Sequence, residues 1–212
     1  STISDVEGNV YNTVQIGAQC WMKENMRATR YADNTPIPFN GGQSLTEAYY
    51  YYPNGDVNNV AQLGLLYNWP ATMHGAASSF QNPSGVQGIC PTGWHVPSSA
   101  EWWQLTDYVS SQSEYVCGEN ADNIAKSLAD SVCWGSVASG DCCPGYNPSS
   151  NNATGFSALP NTTCGGPRAR YWSTYEATST MVYYLAIQKD RVAVIRDRHA
   201  KSYGNSVRCL RD

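Results

Sequence analysis

The stretch "CPTGWHVPSSAEWWQL", Cys90–Leu105, sets a cysteine, a histidine, a glutamate and three tryptophans within sixteen residues. A thiol, an imidazole and a carboxylate so close together suit nucleophilic or metal chemistry. A cysteine, a helix cap and a row of indoles suit the foundation of a fold. The local pattern favours the foundation. Ser98 stands three residues before Glu101, the capping-box spacing in which each side chain accepts a backbone N–H that the first turn leaves unpaired. Behind it Trp102, Leu105, Thr106 and Val109 recur at helical spacing. Glu101 therefore initiates a helix in this reading.

Composition narrows the class. The chain of 212 residues carries 13 Lys+Arg against 17 Asp+Glu and has a formal net charge of -4. No basic run forms an electrostatic footprint, so nucleic acid is not an expected partner. With 18 Gly, 15 Tyr, 11 Pro and 7 Trp, the sequence is rich in turn formers and aromatics. That predicts an α+β domain with much irregular structure, spanning residues 1–212 as one unit. The longest apolar run, "MVYYLAI" at 181–187, has the length of a strand, so no membrane span is expected. The start at Ser1, without Met or an apolar leader, reads as a processed or excised form.

Eight cysteines include no C-x-x-C pair, and His74, His95 and His199 are scattered. Disulfides fit this pattern better than zinc, which places the protein outside the cell or on its surface. The even count predicts that all eight are paired. Cys142 and Cys143 are adjacent, with Cα atoms about 3.8 Å apart. That is below the usual disulfide span, so each is expected to bond outward to a different partner. Preferred pairings are Cys117–Cys133 and a bond from the vicinal pair to Cys164, with the partner of Cys20 left open.

Along the chain, "VEGNVYNTVQIGAQCWM" (6–22) reads as a β-hairpin followed by a strand. "AYYYYP" (48–53) is a short strand stopped by proline. Its tyrosines alternate, and Tyr50 with Tyr52 is the pair expected at the surface. "NADNIAKSLADSV" (120–132) predicts a second helix, and residues 135–167 show no periodicity. The stretches "MVYYLAIQ", "RVAVIR" and "NSVRCLRD" read as a C-terminal three-stranded meander. "NGDVNN" offers Asn54, Asp56 and Asn58 at alternating positions, but one carboxylate without a downstream glutamate makes a poor calcium loop. No metal and no cofactor are expected.

The pieces "GNVYNTVQIGAQCWMKENM", "GLLYNWPATM", "GICPTGWHVPSSAEWWQL", "TGFSALP", "YWSTYEA" and "YGNSVRCLRD", in that order, resemble the Fibrobacter succinogenes major paralogous domain, common in exported proteins of Bacteroidetes and Fibrobacteres. Residues 135–152, with Cys142 and Cys143, lie outside that pattern. "GWHVPSSAEW" and "SVRCLRD" are more distantly similar to the formylglycine-generating enzymes and the wider C-type-lectin-like fold. The resemblance implies two helices around small twisted antiparallel sheets, with long irregular loops. It also implies a Cys90–Cys209 bridge, core positions for Trp94 and Trp102, and a His95 that hydrogen-bonds loop backbone.

Such a fold implies a non-catalytic extracellular binding or adhesion module. Arg168, Arg170 and Tyr171 stand at the exit of the long loop, and arginine beside aromatics suits a glycan or protein ligand. Trp172 is expected in the core. The alternative is a structural subunit of a fibre, sheath or surface layer, whose partners are copies of itself. Formylglycine-type oxidation needs two closely spaced reactive cysteines late in the domain. "YWSTYEA" has none, and no G-x-S-x-G or H-E-x-x-H motif occurs, so an enzyme is not expected. N-glycosylation sequons stand at Asn152 and Asn161.

Overall fold

The computed structural model describes residues 1–39 and 42–211. Strands β1 (Thr2–Ser4), β2 (Val10–Ile16) and β3 (Gln19–Met22) pair antiparallel. Gly8 and Gly17 take the positive φ angles of 81° and 60° that the two connecting turns require. Asp5 secures the first turn. Its carboxylate accepts from the backbone N–H groups of Glu7 and Asn9 and from the Tyr11 hydroxyl.

The short strand β4 (Tyr50–Tyr51) is followed by α1 (Val60–Leu63) and β5 (Leu66–Tyr67), with which it pairs. Helix α2 (Trp69–Met73) follows, capped by Asn68, whose Oδ1 accepts from the N–H of Ala71. The main helix, α3 (Ser99–Ser111), begins with the expected capping box. Glu101 N–H donates to Ser98 Oγ at 3.2 Å, and Ser98 N–H donates to Glu101 Oε2 at 2.8 Å. Helix α4 (Ala125–Leu128) is a single turn within the longer helix predicted over 120–132.

Strands β6 (Arg168–Glu176), β7 (Met181–Gln188) and β8 (Ile195–Ala200) form an antiparallel meander. This corrects the predicted one. Its third strand is β6, whereas the C-terminal segment crosses the molecule and adds β9 (Leu210–Arg211) to β3. The segment 168–176 alternates as a strand does, but the sequence reading assigned it to a loop exit.

The meander is the middle layer of the protein. Trp172, Val182, Tyr184 and Ala186 belong to one apolar cluster, and Ala169, Tyr171, Leu185 and Ile187 to another. Neighbours on one strand thus enter different cores, as the two-residue period demands. The second cluster takes the inner face of α3, where Trp102 stacks on Trp21 with ring centroids 4.6 Å apart. Trp102 Nε1 donates to the carbonyl of Trp172, so the indole is packed and satisfied together.

Three disulfides join Cys90–Cys209, Cys117–Cys142 and Cys133–Cys164, which fits an oxidising compartment. The first spans 119 residues, for which loop closure gives about 4.9 kcal/mol in the chain-entropy model. The pairing differs from the predicted one. Cys133, at φ 64°, turns its chain towards Cys164 rather than Cys117, and Gly165 N–H donates to the Cys133 carbonyl at 2.7 Å. Cys142 alone of the vicinal pair bonds outward, whereas Cys143 is a buried thiol and Cys20 a half-buried one. The expectation of eight paired cysteines is corrected accordingly. No helix among the described residues is long and apolar enough to cross a membrane.

Candidate functional site

The Cys–His–Glu grouping of 90–105 resolves into structure. Cys90 is bonded to Cys209 and has no thiol. Glu101 is fully buried, and its Oε2 accepts from the N–H groups of Ser98 and Ser84. His95 Nε2 lies 2.5 Å from Glu101 Oε1, so the imidazole bonds the capping carboxylate. Loop backbone was its predicted partner. The His95 backbone pairs with Leu210, which ties the approach to α3 to the last strand.

Along β6 the predicted ligand residues separate. Tyr171 is fully buried against Trp102 and Phe156, with the Arg208 guanidinium over its ring, so its place at a ligand surface is corrected. The cause is topological. β7 pairs with this segment on one side, and Ser206 bridges Tyr171 on the other. Trp172 is likewise core, as expected. Arg168 and Arg170 alternate with Tyr171 and take the opposite face. Arg168 Nε donates to Gln188 Oε1 at 2.9 Å, and Arg170 lies over the Tyr184 ring at 6.0 Å from its centroid.

Tyr50 and Tyr52 share one side of their strand and meet the exposed Phe39, with centroids 5.4 and 4.6 Å away. Both are half-buried and also pack on the first core cluster. Tyr51 goes the other way, towards Gly204, and donates its hydroxyl to the Gly42 carbonyl. Asp56 spends its carboxylate on the N–H and the side-chain amide of Asn58, capping a turn. Asn161 is buried, and its amide donates to Ser206 Oγ and the Arg170 carbonyl, so that sequon is closed in the folded protein.

One aromatic recess was missed in the sequence reading. It is a cleft of about 220 Å³ between one side of α3 and the meander, lined by Trp102, Trp103, Tyr175, Tyr183, Leu185 and Arg196. Trp103 follows the buried Trp102, and one helical step turns it towards solvent, leaving it 41% exposed. Tyr175 and Tyr183 stack nearly parallel, with 5.3 Å between centroids. Phe80 closes the rim, 5.1 Å from Trp103 and 4.9 Å from Tyr175. Arg196 lies over Trp103, donates to Thr106 Oγ1 and faces Asp107 at 3.6 Å. The only signal in the sequence was the Trp102–Trp103 doublet, since two successive helical residues cannot both face one core.

Among the described residues, no group of three or more His, Cys, Asp or Glu side chains is placed to hold a metal ion. The cleft is instead an aromatic box with one cation at its edge, suited to ring stacking and forked hydrogen bonds. No curated protein and no solved structure matches the chain. The model of the Fibrobacter succinogenes major domain matches residues 14–211, from the second strand to the last and across every element that lines the cleft. The chain belongs to the Fibrobacter succinogenes major domain family.

Proposed function

We propose that this domain is a non-catalytic extracellular binding or adhesion module of C-type-lectin-like architecture, and that the aromatic cleft beside α3 holds a sugar ring of a glycan. The observation that carries the reading is the contiguous set of exposed Phe80 and Trp103 with half-buried Tyr175 and Tyr183, and Arg196 beside it. Large aromatics held together in a solvent-open recess are characteristic of contact sites. A sugar presents a C–H face to such rings and hydroxyls to the guanidinium donors. The small volume of the cleft suits one ring better than an extended segment. The disulfides support secretion.

The test is a glycan array followed by calorimetry on the glycans retained. Trp103→Ala and Tyr183→Ala should remove binding while leaving the unfolding midpoint nearly unchanged, because both side chains are at least partly exposed. An unaltered binding profile for Trp103→Ala would refute the assignment. A second reading, a self-assembling subunit of a fibre, sheath or surface layer, is favoured by the exposed Phe39 against Tyr50 and Tyr52. Concentration-dependent growth in mass that Phe39→Ser abolishes would select it.

A further inference from the structure

Arg196 is a charged lining residue of the aromatic cleft, and no carboxylate lines it. The guanidinium is oriented but not spent. It donates to Thr106 Oγ1 and faces Asp107 Oδ1 at 3.6 Å, both through Nη2, so Nε and Nη1 stay outside these two contacts. Thr106 is buried and held in turn, because its hydroxyl donates to the carbonyls of Trp102 and Trp103. One corner of the guanidinium is thereby tied to α3, while 44% of the Arg196 side chain remains exposed. The Asp107 side chain is 76% exposed, and an ion pair so open to water is screened and contributes little.

The register of β8 brings a second cation to the same face. Leu185 pairs with Arg196 and Tyr183 with Arg198, and residues directly opposite in an antiparallel pair share one face of the sheet. Arg198 is exposed and stands beside Tyr183, which lines the cleft. Asp197, between the two arginines, takes the other face, where it lines a separate recess with Arg168. β8 is the outer strand of the meander, so this edge is open to solvent. The rim of the cleft thus carries two arginines against one exposed carboxylate, on a chain whose formal net charge is -4.

We propose that the cleft selects an acidic sugar, one bearing a carboxylate or a sulfate, with Arg196 setting the preference and Arg198 adding charge. The inference rests on the glycan reading above and adds the ligand's charge to it. Stacking on aromatic rings holds neutral and acidic sugars alike. An anionic substituent at the edge of the sugar meets N–H donors in a fork that matches its oxygens, and bonds to an ionised acceptor are roughly twice as strong as neutral ones. A hydroxyl at the same place gains less.

The experiment presents the whole domain with each acidic glycan beside its uncharged counterpart, followed by calorimetry. Uronate oligosaccharides are paired with their methyl esters, and sulfated oligosaccharides with desulfated ones. The expected result is tighter binding of the charged member in one or both series, and the responding series identifies the group. That advantage should shrink as ionic strength rises, a readout that needs no variant. Arg196→Gln should weaken the acidic glycan roughly tenfold and leave its neutral counterpart nearly unchanged, which also shows that the variant is folded. The double variant Arg196→Gln, Arg198→Gln should bind both members alike. Equal affinity for charged and neutral members, an advantage that survives in the double variant, or equal losses on both members in Arg196→Gln would overturn the proposal and leave the glycan reading standing. A domain that binds no glycan in either series or on the wider array would refute both.

Discussion

Arg208 to methionine is the substitution that most directly probes how the C-terminal segment is held. Arg208 is fully buried, and no carboxylate forms an ion pair with it among the described residues. Its guanidinium donates to Asn25 Oδ1 through Nε and Nη2, at 3.2 and 2.7 Å. Nη1 donates to the carbonyls of Met22 and Phe156, at 3.1 and 2.5 Å, and Nη2 also donates to that of Ser157 at 3.2 Å. The cation lies over Phe156 at 4.6 Å and Tyr171 at 5.3 Å. Burial lowers its proton affinity, yet a guanidinium stays charged in proteins.

Methionine fills a similar volume and removes the buried charge, which by itself is favourable. It also strands four acceptors, namely Asn25 Oδ1 and the carbonyls of Met22, Phe156 and Ser157. At about 1–3 kcal/mol each, those losses exceed what is regained from no longer desolvating the ion. A net cost of roughly 3–5 kcal/mol follows, the range seen when one partner of a buried charged network is removed. That is roughly a fifth or more of the total for a domain of ordinary stability. Guanidinium chloride unfolding would read it as a lower midpoint at constant slope, with Arg208→Lys in between because an ammonium cannot reach all four acceptors. A methionine variant within about 1 kcal/mol of wild type, the effect of an ordinary substitution, would refute the reasoning.

The remaining expectations concern thiols and pH. Alkylation of the denatured, unreduced protein should label Cys20 and Cys143 and no other cysteine; a protein that resists labelling altogether would contradict the three-bridge structure. Burial first, then Arg170, lowers the proton affinity of His199 below its ordinary value of 6.5, despite the opposing effect of Asn205. The unfolded state therefore binds more protons between the folded value and 6.5. Stability should accordingly be full above this window and fall as pH drops through it. His199→Gln should flatten that slope in unfolding midpoints measured from about pH 7 down to about pH 5, before most carboxylates titrate; an unchanged slope would exclude His199 as its source.

How much was legible depended on how far the cause of each feature reaches along the chain. The capping box of Ser98 and Glu101, the hairpin 6–22 and the alternation of Tyr50 and Tyr52 are local, set by backbone periods of 3.6 and 2, and the sequence by itself determined them. The family motifs carried the Cys90–Cys209 bridge. The extent of the second helix was overestimated, since only Ala125–Leu128 forms a turn before the disulfide-pinned loop takes over. Pairing partners were not legible, because a strand or a thiol takes whichever mate the chain path brings near. β9 therefore lies on β3, β6 completes the meander, and Cys133 meets Cys164. The same holds for the candidate site. Phe80, Trp103, Tyr175 and Arg196 come from separate elements. Arg208 looked like an ordinary basic residue near the C-terminus. Only the tertiary structure made it an interior cation, because its acceptors at Met22, Asn25, Phe156 and Ser157 lie far away in sequence. A buried charge is tolerated only where distant backbone converges on it.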